Sequence, residues 1–196
     1  MRSQNIPKVF IEVGSCDFDT LNDLADAGWH GMIIDPMEKY LNNIPRKPGV
    51  NYIPCAIDHH TGETTIYTSS DEMTKLDSDY RGMSTMVESK ERNWGVRKDG
   101  VNIFNDEVRI KTITFRDLFK QHHVWAIDFL KVDVEGYDFE VLKSFPWELT
   151  NLKPNFIKVE HMHIKNSDEM KDFLIKKGYH VYVERNDFYA ILIKNK

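Results

Sequence analysis

An apolar run in this chain ends in two carboxylates. The segment Asp128-Phe129-Leu130-Lys131-Val132-Asp133-Val134-Glu135-Gly136 begins like a buried strand, then presents Asp133 and Glu135 just before a glycine. Removing water from an ionised carboxylate costs several kcal/mol unless the charge is paired. A strand that finishes in two acids therefore reads as opening onto a site rather than filling a core. In open α/β sheets, ligands bind outside the carboxyl ends of the strands. A second group, Glu160-His161-Met162-His163, follows another strand-like run. Carboxylates and imidazoles are common general acids and bases. They also hold divalent ions, carboxylates suiting Mg²⁺ and imidazoles Zn²⁺. The candidate catalytic residues are Asp133, Glu135, Glu160, His161 and His163, and a divalent metal among them stays open. If the strand runs that far, alternation puts Lys131, Asp133 and Glu135 on one side. A buried Lys131–Asp133 ion pair is the structural alternative.

A third cluster, Glu12-Val13-Gly14-Ser15-Cys16-Asp17, lies where a first strand turns. Glycine permits a backbone conformation or close approach denied to other residues. A dinucleotide fingerprint needs Gly-x-Gly-x-x-Gly, with pyrophosphate on a helix N-terminus. Here Cys16 and Asp19 occupy the second and third glycine positions. Acids at positions 17 and 19 would repel a diphosphate, so a cofactor with a cationic end and no phosphate fits better. S-adenosylmethionine carries an amine and a sulfonium, both positive. Asp35 ends a second strand, where the equivalent acid of dinucleotide sites meets ribose hydroxyls, and Pro36 follows it. Ala56 and Ile57 would wall an adenine. The plainer alternative makes Gly14 a turn residue and Asp17 or Asp19 a helix N-terminal charge.

These residues need a frame to position them. Strands are expected at 9–13, 31–35, 51–57, 108–113, 129–133 and 155–160, with helices at about 17–27, 114–122, 137–145 and 167–177 between them. Pro54 makes the third strand unsuitable for the centre of a sheet, so it belongs near an edge. The end of the chain reads as strands 179–184 and 188–193 joined around Asn186-Asp187. Alternating strands and helices imply an α/β fold with a mostly parallel sheet and helices on both faces. A seven-stranded, Rossmann-like three-layer sandwich that closes in an antiparallel hairpin is the methyltransferase variant of this architecture. The polar stretch from about 69 to 105 shows no sustained period, and long loops of this kind are usually functional. It is read as a lid or acceptor-binding insertion in a single domain spanning residues 1–196.

Composition bounds the partners. The net charge of -5 argues against general nucleic-acid affinity, which rests on basic side chains neutralising phosphates. The start of the chain is too polar and too short for a signal peptide, and no apolar run approaches the roughly 20 residues that span a bilayer. Cys16 and Cys55 are the only cysteines, which fits a reducing cytoplasm; one disulfide between them is still allowed. His59-His60 and His122-His123 show no partner spacing and read as surface residues. Trp125, Phe145 and Trp147 read as core or helix-end packing.

The run Phe129-Leu130-Lys131-Val132-Asp133-Val134-Glu135-Gly136-Tyr137-Asp138-Phe139-Glu140-Val141-Leu142-Lys143 resembles the FkbM-type S-adenosylmethionine-dependent methyltransferases. Ile11 to Asp17 resembles that family's cofactor loop. Gly31-Met32-Ile33-Ile34-Asp35-Pro36 resembles its second strand, and Tyr52 to Asp58 with Gly62-Glu63 resembles its third. Together these matches span about residues 9–160. The resemblance implies O-methylation of a hydroxyl on a sugar or other small-molecule or glycan acceptor. It also implies donor contacts at Glu12, Gly14, Ser15, Cys16, Asp17, Asp35, Pro36, Ala56, Ile57 and Asp133. Ser84-Thr85 resembles a family serine segment, which makes these two residues the substrate-side candidates; an ordinary loop hydroxyl pair is the alternative. Three departures stand out: Glu12 where Asp is commoner, Asp35 in place of Glu, and Phe18 in place of a second glycine. Phe18 puts bulk where the donor's methionine end would sit. Two rival readings follow from the same residues: a cofactor-binding module without activity, and a metal-dependent hydrolase built on Asp133, Glu135, Glu160, His161 and His163. A nicotinamide oxidoreductase lacks its glycine pattern. No membrane partner is expected.

Overall fold

A computed structural model describes residues 6–18, 20–89, 92 and 94–193. Eleven strands form two sheets among these residues. Strands β1 (Val9–Val13), β2 (His30–Ile34), β3 (Val50–Ile53), β8 (Phe129–Val132), β9 (Phe156–Glu160), β10 (Tyr179–Glu184) and β11 (Asp187–Leu192) make the larger sheet. Its spatial order is β3-β2-β1-β8-β9-β11-β10. Every pairing from β3 through β9 is parallel, while β11 runs antiparallel to both β9 and β10. The expected α/β architecture and its closing hairpin are present, with Arg185-Asn186 as the two-residue turn.

Side chains on successive strand residues face opposite ways, and the two faces bury different cores. Phe10 and Ile33 join Leu41 and Ile44 in a smaller cluster. Their neighbours Ile11, Val13, Met32 and Ile34 belong to the larger one, with Leu118, Leu142 and Leu174. These apolar helix positions lie on α3 (Phe115–Gln121), α4 (Asp138–Ser144) and α5 (Ser167–Lys176), and Leu41 lies on α1 (Glu38–Leu41).

The second sheet has the order β4-β7-β5-β6, built from β4 (Ala56–Ile57), β5 (Gly62–Thr68), β6 (Ser84–Thr85) and β7 (Asp106–Ile113). The expected strand over 51–57 is therefore two. Pro54 has no N–H to donate to a ladder, and the chain breaks there: β3 becomes the edge of the first sheet and β4 crosses to pair with β7. Helix α2 (Asp71–Leu76) sits within the stretch expected to be irregular, with the Ser70 hydroxyl accepting from Met73 N at 3.3 Å. It packs through Met73 onto Ile103 and Phe104 in a small third core.

The helix expected over 17–27 is instead a 3₁₀ segment, Leu21–Ala27, begun by Thr20 and stopped by Gly28 in a left-handed conformation. Its start is set from below. The buried Glu12 carboxylate accepts from Leu21 N at 2.8 Å, satisfying one of the donors a helical N-terminus leaves open. Asp19 lies outside the described residues. Trp125 is half exposed rather than packed, whereas Phe145 and Trp147 are buried. Cys16 and Cys55 are both free thiols. No helix among the described residues is long and apolar enough to cross a membrane.

Candidate active site

Residues that follow the carboxyl ends of β1, β2 and β8 line one cavity together with Arg81 to Met86 from the 69–105 stretch. At the end of β1 the chain turns through Gly14, whose φ is +78°. A Cβ on Gly14 would lie 1.8 Å from the Asp133 main-chain oxygen and 2.9 Å from Val134 Cγ1. Only glycine lets the β1 turn approach the β8 turn this closely. Cys16, also left-handed, donates its N–H to Asp35 Oδ2 at 2.8 Å, and Met37 N donates to Asp35 Oδ1 at 2.8 Å. Asp35 thus ties two turns together. Burial pushes its carboxyl up to about 6 against the pull of these N–H donors.

The cavity has a volume of about 280 Å³. Gly14, Ser15, Cys16, Asp35, Pro36, Ala56 and Ile57 are among its lining residues. Ser84, Thr85, Asp133 and Glu135 line it too. The structure brings these eleven positions into one hollow. Phe18, more than half exposed, forms part of the rim.

Two donor-side candidates have other tasks. Glu12 is fully buried. It lies opposite Lys131 in the β1–β8 register and accepts from Lys131 Nζ at 3.0 Å. A buried partner of Lys131 is therefore Glu12, across the strands, a pairing the sequence reading did not anticipate. Asp17 does not line the cavity; its carboxylate takes hydrogen bonds from Arg81 and from Asn43 Nδ2, the latter at 2.7 Å. Burial works to raise this carboxyl, but the bonds from Asn43 and Arg81 outweigh it and hold it below the ordinary range.

Strand β8 stops at Val132, so strict alternation does not place Asp133 and Glu135. Glu135 has φ +52° and Gly136 φ +86°, a left-handed pair. A left-handed backbone at a non-glycine residue costs of order 1–3 kcal/mol and persists only when its surroundings impose it. Those surroundings are visible. Asp138, fully buried, accepts from Val134 N and Gly136 N at 3.0 Å each. Thr85 Oγ1 donates to the Glu135 carbonyl at 2.6 Å. Thr85 is thus a strut under the turn, while Ser84 Oγ bonds Thr68 Oγ1 at 3.3 Å.

The Glu160–His163 segment divides. Strand β9 ends at Glu160, and the two histidines beyond it have different ring partners. The His161 ring stacks on Phe188 at 4.2 Å, and its Nε2 is buried without a hydrogen bond. His163 stacks on Trp94 at 4.1 Å and places Nε2 3.7 Å from Glu135 Oε2. Donor atoms of Glu135, Glu160 and His163 all lie within 4.8 Å of one another. Burial, reinforced by Asp133 and Asp138, pushes the Glu135 carboxyl up to about 8. Burial and the same acids, joined by Glu135 and Asp187, push Glu160 up to about 9. Burial lowers His163.

Arg81, Met83, Met86 and Tyr137 also line the cavity and were not anticipated. Arg81 is placed by Asp17, sixty-four positions away, a pairing that leaves no local signal. Tyr137 donates its hydroxyl to Asp58 Oδ1 at 3.0 Å. His59 and His60 are exposed as expected, yet each faces a carboxylate, Glu140 at 3.3 Å and Asp58 at 3.0 Å.

The family model described as the methyltransferase FkbM domain matches residues 11–181. Among curated proteins, none matches the chain in sequence. A solved structure of precorrin-6y C5,15-methyltransferase from Geobacter metallireducens GS-15 is similar at 11% identity and TM-score 0.43, over 95% of this chain and 80% of that one. The fibrillarin/Nop5p complex is similar at 10% identity and TM-score 0.42, over 93% of this chain and 70% of that one. With the family match running over most of its length, the chain belongs to the FkbM methyltransferase family of S-adenosylmethionine-dependent enzymes.

Proposed function

We propose that this chain methylates a hydroxyl of a sugar or other small-molecule or glycan acceptor. The observation that carries this reading is the single cavity in which the Gly14 turn and Asp35 meet Asp133 and Glu135. The lining suits the donor. Asp35 and Asp133 offer anionic surface to a cationic ligand, and Cys55, Ala56 and Ile57 offer an apolar wall to a flat base. The basic groups that line it, Lys131 and Arg81, are already engaged with Glu12 and Asp17, so neither is set out for a diphosphate. When bound, S-adenosylmethionine supplies a methyl group on positively charged sulfur.

The chain's own residues do the rest. The Gly14–Cys16 turn and Asp35 hold the donor side, and the Arg81–Met86 segment closes the acceptor side. Asp133 joins them, beside the donor turn and close enough to Glu135 and Glu160 to raise both. We assign Asp133 the acceptor's proton, because a neutral hydroxyl is a poor nucleophile and a positioned base typically contributes 10²–10⁴-fold. Alignment of acceptor and donor contributes a further share, of order 7–11 kcal/mol in well-oriented systems. Two buried, reduced thiols accord with a cytoplasmic setting.

Co-crystallisation with S-adenosylhomocysteine tests the reading. The expected result is the ligand's sulfur beside the Gly14 turn, facing Asp133. A ligand seated away from this edge, or no binding by calorimetry, overturns it.

A further inference from the structure

We infer that Glu135, Glu160 and His163 bind one first-row divalent cation, of the Mn²⁺ or Zn²⁺ type, which holds the acceptor's oxygen beside Asp133. The role given to the ion rests on the methyl-transfer reading; the binding does not.

Three features support the site. First, the donor atoms come from two places in the chain, the turn after β8 and the segment at the end of β9, and meet in space, all within 4.8 Å of one another. An ion with ligand bonds of about 2.0–2.2 Å needs donors some 3–4 Å apart. The His163 Nε2 to Glu135 Oε2 distance, 3.7 Å, already meets this. Second, Glu160 Oε2 is shut off from solvent and accepts no hydrogen bond. Among the described residues, neither Glu135 nor Glu160 has a lysine or arginine partner; the one cation-forming neighbour is His163. Shielded carboxylates without a counter-charge are costly, and a dication answers that need. Third, the imidazole is held in place. Trp94 stacks on it at 4.1 Å with planes 17° apart, fixing the ring that would present Nε2. Supporting contacts that orient a metal-binding histidine commonly matter 10–100-fold in affinity.

Two carboxylates and one imidazole favour a borderline ion over Ca²⁺ or a heavily hydrated Mg²⁺. Three protein donors leave coordination positions open, the arrangement of catalytic rather than structural sites. Glu135 also lines the cavity, which joins the proposed ion site to it. An acceptor hydroxyl bound there loses its proton more readily, because a bound dication stabilises the oxyanion. That proton passes to Asp133.

The test is titration of Mn²⁺ alone into chelator-treated, donor-free protein, followed by electron paramagnetic resonance, with Zn²⁺ competition. One saturable Mn²⁺ per chain is expected. Glu160→Gln and His163→Gln should each weaken binding at least about tenfold with circular dichroism unchanged, while Glu184→Gln on the exposed hairpin should not. No saturable Mn²⁺ or Zn²⁺ binding by the folded protein, or equal binding in both variants, overturns the site. Full methyl transfer by the chelated protein overturns the ion's role and leaves the methyl-transfer reading standing. Metal binding without S-adenosylhomocysteine binding supports the site and defeats that reading instead.

Discussion

At the scale of single residues, two positions concentrate the chemistry and the geometry. Asp133→Asn keeps the shape of the side chain and removes its basicity. It should lower turnover by about 10²–10⁴-fold with circular dichroism unchanged, and full activity in that variant would remove the role assigned to Asp133. Gly14→Ala tests geometry. A left-handed alanine costs roughly 1–2 kcal/mol, and its Cβ would also collide with the Asp133 carbonyl, at 1.8 Å. Stability should fall by more than about 2 kcal/mol, or at least about 4 °C in Tm for a domain of this size, and binding of S-adenosylhomocysteine should fall with it. Phe18 lines the cavity beside the Gly14 turn, more than half exposed, with Arg81 over its ring at 5.9 Å.

At the scale of elements, the β1–β8 pair is held by a buried charge pair as well as by its ladder. Lys131 and Glu12 are almost fully buried. Removing one member of such a pair strands the other, at a cost of about 3–5 kcal/mol. Lys131→Met should therefore destabilise strongly, and adding Glu12→Gln, which removes the stranded charge and keeps an acceptor for Leu21 N, should recover part of the loss; urea melts of the wild type and the two variants measure both. The 69–105 stretch is tied to the Glu135 turn through β6. Thr85→Val deletes the bond to the Glu135 carbonyl and should cost about 1 kcal/mol, with a larger rise in acceptor KM than in donor KM. Elements with strong periods were legible from the chain: the parallel strands, α4, α5 and the hairpin. The 3₁₀ segment and α2 were not. The first is set by the Glu12 carboxylate reaching Leu21, and the second by packing on Ile103 and Phe104, neither of which is a local property.

At the scale of the molecule, acids gathered at one sheet edge make stability depend on pH. Glu135 and Glu160 titrate at about 8 and about 9 in the folded chain, well above the ordinary glutamate value. Between that value and 9 the folded state therefore binds more protons than the unfolded state, and stability falls as pH rises. His163 is lowered and works the other way, but only below its ordinary value near 6.5. In metal-free protein the Tm should decline from pH 6.5 to 9, and Glu160→Gln should flatten the decline; parallel slopes in the two proteins would contradict this. A bound divalent ion should also flatten it, since a cation reverses the local preference for protonated carboxyls.

The chain by itself determined the architecture and the edge at which chemistry gathers. Apolar periodicity dictates strands and helices, and acids after apolar runs mark strand ends, because an unpaired charge is costly to keep in a core. Tertiary structure decided which acid faces what. Glu12 turned inward to Lys131, Asp17 sideways to Arg81, His161 onto Phe188 and His163 onto Trp94 beside Glu135. Each of those outcomes depends on a partner distant in sequence, and side-chain direction beyond the end of a strand follows no period that a one-dimensional reading can extrapolate.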